Sequence, residues 1–244
     1  MISFTFNNER RDYIAVLKGR KRPPWSPIKR NILAVPGVPG GFLQSTDIDV
    51  RTIEVPVFIK GENLTHLQRL KEDLAAWLVT DQPAPLVFDD DPDRTYYAVV
   101  DDTVDFEEIT KFGSGTIKFI CPDPYVYGKE RPINATITTS GQSVNVSNTG
   151  SAKTYPVITA TFFASAQEFK VSKENQFVRV IWNFVTGDVL TIDFPKRKIT
   201  INNNLRMTSL DLVSDFFALE KGNNVLQFTP SGYSVQITFQ ERWL

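Results

Sequence analysis

The chain contains a single histidine and a single cysteine, so the residue types that most often carry catalysis are scarce. A Ser-His-Asp or Cys-His system would have to use His66, which lies between apolar positions of a predicted helix and lacks an accompanying nucleophile motif. One histidine also excludes a zinc site built from histidines. Cys121 precedes a proline and is interpreted as a small buried apolar residue, and a lone cysteine excludes an internal disulfide.

An acidic run, DDDPD, offers a second kind of chemistry. Asp89, Asp91 and Asp93 stand at alternate positions, as the ligands of an EF-hand calcium loop do. However, Arg94 occupies the position where that loop needs glycine, and Val100 the position of its bidentate glutamate. The run is therefore interpreted as an acidic hairpin turn between two strands.

A further acidic cluster could supply the two carboxylates of a glycoside hydrolase. It comprises Asp101, Asp102, Asp105, Glu107 and Glu108. Acidic pairs beside strands arise often by chance and are usually solvated, and no glycine-rich phosphate loop joins a strand to a helix. We therefore predict that the chain is not an enzyme and uses no cofactor or metal.

The clearest secondary-structure element that could position such residues is one amphipathic helix, predicted over residues 63–79. Asn63 suits the N-cap position. Apolar residues follow at steps of three and four: Leu64, Leu67, Leu70, Leu74, Trp77 and Leu78. A lone amphipathic helix among strands must lie against a sheet to bury such a face.

Residues 18–45 form a long arm with five prolines and no sustained period. Structureless loops of this length are uncommon in compact domains unless they are functional. A solvated loop and a nucleic-acid patch are the alternatives, but the apolar residues favour an arm that docks on a neighbouring subunit, its basic residues facing carboxylates there. The predicted contact residues are Trp25, Arg20, Arg22, Lys29, Arg30 and Phe42.

A change in the pattern of apolar runs and turns at residues 112–130 predicts a domain boundary. A strand ends there at Pro122 and Pro124, which cannot continue a hydrogen-bonded ladder. The second part then shows short apolar runs separated by Gly/Asn turns, a pattern typical of an antiparallel sandwich. The predicted domains are 1–130 and 131–244, and the predicted strands of the second cover 135–139, 144–148, 157–163, 177–184, 189–194, 199–201, 216–219, 225–228 and 235–239.

Bulk composition excludes several classes of protein. The 244 residues are 41% hydrophobic and 23% charged, which suits packed cores rather than disorder. A net charge of −1 gives no general reason to expect nucleic-acid binding. No apolar run is long enough for a membrane-spanning helix, so we expect no membrane insertion. No signal peptide is visible, so we expect the protein to be made in a cytoplasm.

Several motifs together resemble one family. They are RPP-x-x-SPIKRN with PGVPGG, TIEVPVFI, LQRLKEDLAAWL, LVFDDDPDRTYYAVV and TIKFICPDPYVYG, followed more loosely by VSNTGSAKTYPVITA and FALEKGNNVLQF. In this order they are similar to the distal tail proteins (Dit) of long-tailed, non-contractile bacteriophages. The family often has Pro-Gly where this chain has Lys221-Gly222, so the second half matches less closely.

The resemblance implies a mainly β fold with two domains. The N-terminal domain would be a tail-tube-like β-sandwich with one amphipathic helix and the long Pro-rich arm, and the C-terminal domain a galectin-like antiparallel β-sandwich. Some members return the last strand, here 236–244, to the first domain.

The resemblance also implies a function. The chain would form a homo-hexameric ring at the distal end of the tail tube, joining the tail tube protein to the tail-tip hub protein. In some phages such a ring also holds receptor-binding proteins. The protein would assemble in the bacterial host cytoplasm and reside in the virion.

The competing interpretation is a carbohydrate-binding module that recognises a host cell-wall glycan. Fold resemblance alone cannot establish a binding function. Trp182 and Trp243 lie in apolar strand contexts, which are more typical of a core than of a sugar-binding platform.

Overall fold

The computed structural model of the chain describes residues 3–102, 104, 106–109 and 111–244. It divides into two compact units, one comprising Met1–Tyr127 with Leu244 and the other Gly128–Trp243. Strands dominate both units, and within the described residues one α-helix is present. No helix in this part of the chain is long and apolar enough to cross a membrane.

The first unit contains ten strands or strand segments and the helix. They are β1 (Phe4–Phe6), β2 (Ile14–Val16), β3 (Ile28–Leu33), β4 (Phe42–Ile48), β5 (Arg51–Lys60), α1 (Leu64–Leu78), β6 (Ala84–Phe88), β7 (Asp91–Asp101), β8 (Glu107–Ile109), β9 (Phe112–Cys121) and the start of β10 (Val126–Ile137).

Strands β5 and β9 form the centre of this unit. They pair antiparallel along their whole length, with β2 and β7 beside them, and β7 pairs onward with β6, which pairs with β1. Every second residue of β5 is buried, because one face of an antiparallel strand covers the core. Ile53, Val55 and Val57 on β5 meet Ile117 and Phe119 on β9 in one apolar cluster.

Helix α1 buries its apolar face against this sheet, as predicted. The Asn63 side chain accepts a hydrogen bond from the backbone N–H of His66 at 2.8 Å, which caps the first turn. Leu67, Leu74 and Trp77 are buried among the core residues of β5 and β9.

The acidic run forms the turn between β6 and β7, as predicted. The Asp89 carboxylate accepts a hydrogen bond from the backbone N–H of Ser3 at 2.9 Å and pairs with Arg10 at 3.0 Å. The turn therefore fixes the beginning of the chain. Among the described residues, no group of acidic, histidine and cysteine side chains could hold a metal ion.

The second unit is a sandwich of two antiparallel sheets. One contains the rest of β10, β12 (Val157–Phe162), β15 (Val189–Asp193), β16 (Lys198–Ile201), β17 (Asn204–Leu205) and β19 (Tyr233–Trp243), in the order β17-β16-β15-β12-β19-β10. The other has the order β11-β18-β13-β14, built from β11 (Gln142–Asn148), β13 (Ala166–Lys173), β14 (Gln176–Phe184) and β18 (Gly222–Thr229). A short 3-10 helix covers Met207–Ser209. The inner faces share one apolar core, which includes Phe162, Phe169 and Phe228.

Strand β19 lies within the second unit. It pairs with β12 from Val157↔Thr238 to Phe162↔Tyr233, and Leu244 alone groups with the first unit. The structure thus places the segment 236–243, which was considered for return to the first domain, in the sheet of the second.

Candidate assembly surface

The arm contains a two-stranded hairpin that extends from the first unit. Strands β3 and β4 pair antiparallel from Ile28↔Ile48 to Leu33↔Phe42, and no third strand joins them in the described structure. The loop between them turns with Gly37 and Gly40 at positive φ. The expectation of an arm without regular structure is therefore wrong. A hairpin with neither face buried has no reason to alternate apolar and polar residues, and a bulge near Asn31 further disrupts the period.

Large apolar side chains at the end of this hairpin, called here the arm tip, are exposed. The exposed fractions are 64% for Ile32, 54% for Leu33, 48% for Val38, 61% for Phe42 and 57% for Leu43. An isolated two-stranded hairpin is marginally stable in water. Exposed apolar patches of this kind are typical of surfaces that bind other macromolecules.

The middle of the hairpin is polar and internally paired. The Asn31 side chain donates to the Ser45 hydroxyl at 2.7 Å, and the Arg30 guanidinium donates to the Thr46 hydroxyl at 3.2 Å. Lys29 pairs with Asp49 at 2.6 Å. These polar side chains thus have partners in or next to the hairpin, whereas the large apolar side chains of the tip are exposed in the described structure.

A buried arginine fixes the root of the arm, residues 20–26, to the rest of the first unit. Arg51 is 1% exposed, and its guanidinium donates to the carbonyl of Pro23 at 2.7 Å and to that of Pro124 at 3.0 Å. The buried Ser26 hydroxyl donates to the same Pro124 carbonyl. Burial lowers the pKa of Arg51, because desolvation disfavours its charged form. Sequence reasoning missed this residue, since an arginine at the first position of a strand gives no local sign of burial.

Of the predicted contact residues, Trp25, Lys29, Arg30 and Phe42 lie on the exposed surface. Trp25 is 60% exposed. Arg20 and Arg22 instead lie at the arm root, where both pair with Asp90 of the same chain and lie over the Phe88 ring.

The basic residues were predicted to face carboxylates on a neighbouring subunit, and three of them already have carboxylate partners within the chain. Arg20 and Arg22 share Asp90, and Lys29 has Asp49, so each already has a carboxylate within its own chain. Local sequence patterns do not reveal these ion pairs, because the partners lie far along the chain or beyond the turn of the hairpin.

Three of the residues first considered for catalysis, His66, Cys121 and Asp101, make structural contacts. The His66 ring accepts a hydrogen bond from the backbone N–H of Glu62 at 3.2 Å, next to the helix cap. Cys121 is fully buried, and burial raises the pKa of its thiol to about 12, so it remains an unreactive thiol at neutral pH. Asp101 pairs with Lys118 at 2.7 Å, and Asp105 lies outside the described residues.

Family models match both halves of the chain. The model of a phage tail protein RIFT-related domain matches residues 9–121, and that of a Siphovirus-type tail component, C-terminal domain, matches residues 149–243. The distal tail protein of Bacillus phage SPP1 is 33% identical over 240 residues, which cover 96% of this chain and 92% of that protein. The chain belongs to the distal tail protein family.

Solved structures agree with this assignment. The crystal structure of SPP1 Dit, described as a paradigm of the hub adsorption apparatus in phages that infect Gram-positive bacteria, has a TM-score of 0.88 at 26% identity and covers all of both chains. A chain of the phage P2 baseplate in its activated conformation has a TM-score of 0.52 at 10% identity, covering 98% of each chain, and shows the fold alone. The predicted resemblance and the mainly β, two-domain fold are confirmed, and the protein is a phage tail hub component of the virion.

Proposed function

We propose that this distal tail protein closes into a homo-hexameric ring at the distal end of the tail tube and joins the tube to the tail-tip apparatus. The observation that carries this proposal is the arm, whose apolar tip is exposed while its root is fixed by buried Arg51. The number six comes from the family resemblance. The same resemblance supplies the partners, which are the tail tube protein, the tail-tip hub protein and, at the periphery, receptor-binding proteins.

The apolar surface of the arm tip is not buried within its own subunit. Ile32, Phe42 and Leu43 are each more than half exposed, and removing such side chains from water is favourable. Each subunit would lay this tip on a different surface of the next subunit. Contacts of this head-to-tail kind close into a ring when the rotation between subunits permits it.

Docking of the arm also has an entropic cost. A free loop loses conformational entropy when it docks, which reduces affinity. Here the β3–β4 ladder and the prolines restrict the arm before docking, and the Arg51 bonds fix its root. The arm therefore loses less entropy on binding a neighbour than an unstructured segment of the same length.

The ring would catalyse no reaction. Its assembly would take place in the cytoplasm of the bacterial host. We infer a structural, non-enzymatic role because the family relatives are tail and hub proteins. Since Arg20, Arg22 and Lys29 are paired within the chain, their charges are not needed across the junction. Ring formation should accordingly depend little on salt, in contrast to a junction of exposed ion pairs.

The oligomeric state of an arm-tip variant tests the proposal. Native mass spectrometry and light scattering should find hexamers of the wild-type protein, alone or with the tube and hub proteins. Ile32→Ala with Phe42→Ala should raise the concentration needed for half-assembly by roughly tenfold or more, because apolar anchors dominate interface energies. Leu212→Ala is the matched control, since Leu212 is a fully exposed apolar residue of the other unit.

Two results would contradict the ring proposal. One is a wild-type protein that remains monomeric at all concentrations, even with the tube and hub proteins present. The other is a hexamer that the arm-tip variant and the Leu212→Ala variant form equally well, which would place the contact elsewhere.

A further inference from the structure

The outer face of one sheet in the second unit is polar but uncharged near its centre. On β10, β12 and β19, residues facing the core alternate with residues facing solvent. Six solvent-facing side chains lie together at the end of β10, on β12 and at the start of β19: Asn134, Thr136, Thr159, Thr161, Ser234 and Gln236. All are hydroxyl or amide side chains, although 23% of the whole chain is charged.

The uncharged surface continues across the neighbouring strands in register. Thr200 on β16 pairs with Thr191 on β15, which pairs with Thr159 on β12, which pairs with Gln236 on β19. At the far end Thr200 pairs with Leu205, whose exposed side chain adds an apolar contact. Adjacent strands are about 4.8 Å apart, so the row presents one polar group at each such interval.

Strands β13 and β14 of the other sheet have a charged solvated face instead. Arg179 on β14 pairs with Glu168 on β13 and with Asp211 at 3.4 Å, and Lys170 lies over the Phe177 ring at 4.4 Å. These side chains are charged and are engaged with one another. In the described structure, the side chains of Thr159, Gln236 and their neighbours in the row make no hydrogen bond within the chain.

The uncharged surface is also concave at its centre. A groove of about 520 Å³ lies over β10, β12 and β19 and is lined by the six uncharged polar residues named above together with Ala135 and Val235. Donors and acceptors that are not engaged within the chain therefore converge on a space large enough for part of an extended polar ligand.

We propose that this groove binds an uncharged polysaccharide, lying across the strands. Hydroxyl and amide side chains both donate and accept hydrogen bonds, which matches the hydroxyl groups of neutral sugars. The absence of charge disfavours phosphate-bearing or carboxylate-bearing polymers, whose binding sites need arginine or lysine. The interval between strands is close to the length of one pyranose residue in an extended glycan, so successive sugars meet successive strands.

The site binds weakly in each copy. No aromatic side chain lines the groove, so binding rests on hydrogen bonds that exchange with water and on limited apolar contact. A dissociation constant on the order of 1 mM follows for a short oligosaccharide. The site is complete within one chain and does not depend on the ring. If the ring forms, its copies would strengthen attachment to a polymer through multivalency.

Saturation-transfer difference NMR on the full-length protein tests the site whether or not a ring forms. The probes are neutral hexasaccharides of glucose, N-acetylglucosamine, galactose and rhamnose, with poly(glycerol phosphate) and sialyllactose as charged probes. We expect transfer to at least one neutral hexasaccharide and none to the charged probes. Gln236→Ala and Thr159→Val should each weaken that binding about threefold or more.

Gln227→Ala is the matched control, because Gln227 is an exposed glutamine on β18 of the other sheet. It should leave binding unchanged, and the melting temperature should be the same in all three variants. The proposal is overturned if no neutral hexasaccharide shows transfer. It is also overturned if Gln236→Ala and Thr159→Val bind as well as the Gln227→Ala protein, or if a charged probe is preferred. A monomeric protein that binds the glycan would refute the ring and leave this site standing.

Discussion

Two tryptophans of the first unit have opposite environments. Trp77 on α1 is 4% exposed, stacks on Phe4 with ring centroids 5.4 Å apart, and donates its indole N–H to the Phe6 carbonyl at 3.0 Å. Trp25 at the arm root is 60% exposed and has no ring partner in the described structure.

The two segments differ in whether a sheet of the same chain covers their apolar side chains. Helix α1 has a sheet beside it, so its apolar face is buried on folding. The arm hairpin has no such layer, and its apolar tip stays in water although its polar side chains are paired. Apolar content therefore identifies a surface that needs covering, and the fold decides whether the same chain or another molecule covers it.

The largest expected effect tests the buried side of this comparison. Trp77→Ala should lower the free energy of unfolding of the first unit by roughly 3–5 kcal/mol, because it removes a large buried ring, leaves a cavity and frees the Phe6 carbonyl. Urea unfolding with amide hydrogen exchange to resolve the two units provides the measurement. Val79→Ala, at an exposed position one residue beyond α1, is the control and should change it by less than about 0.5 kcal/mol. A near-neutral Trp77→Ala would mean that α1 is not packed as the structure shows.

A smaller effect concerns the charged contact at the arm root. The hydrogen bond from Arg20 lowers the pKa of Asp90, with partial burial opposing. The folded pKa thus lies below that of the unfolded chain, so the stabilisation is complete above about pH 4 and is lost as pH falls through the folded value. It should amount to about 0.5–1 kcal/mol, because the pair is only partly buried.

The pH dependence of unfolding checks this contact. Asp90→Asn should remove that fraction of the acid-induced loss of stability, whereas Asp81→Asn, at an exposed aspartate with no ion pair in the described structure, should not. Identical acid profiles for wild type and Asp90→Asn would show that the Asp90 contact does not hold the arm root in solution.

Local patterns predicted the parts of the fold whose partners are regular layers. The helix was found because a buried face imposes a period of three to four residues, and β5 because burial alternates along it. Strand β13 was missed, although its buried residues Phe169 and Val171 alternate with solvent-facing ones, because these two are its only large apolar residues. Residues 216–219 were predicted as a strand, but they pack Phe217 and Leu219 into the core with a single bridge, Thr154↔Leu219.

The arm root could not be predicted in the same way. Its order depends on Arg51 reaching two carbonyls, at Pro23 and Pro124, that lie far apart along the chain. No local sequence period predicts such a contact, because it depends on the tertiary structure of the whole first unit. The exposed tip was foreseen only as an excess of apolar residues without a place in a core, and the hairpin that displays it was not.

The smallest expected effect on stability is that of Trp25→Ala, and it is the sharpest test of the comparison. In the Ile32→Ala/Phe42→Ala background, where the chain should be unassembled, Trp25→Ala should change the free energy of unfolding by less than about 0.5 kcal/mol, because an exposed side chain leaves no cavity. The unassembled background is needed because a ring would stabilise its own subunits and hide the comparison. In the otherwise wild-type chain the same change should weaken assembly, since tryptophans that become buried at interfaces are frequent anchors. Thermal melting measures the stability and native mass spectrometry the assembly, on the same set of proteins.

If Trp25→Ala instead destabilised the unassembled chain as much as Trp77→Ala does, Trp25 would belong to the core of its own subunit. The arm would then fold back onto the rest of the first unit in solution, and its exposed surface could not be the contact that closes a ring.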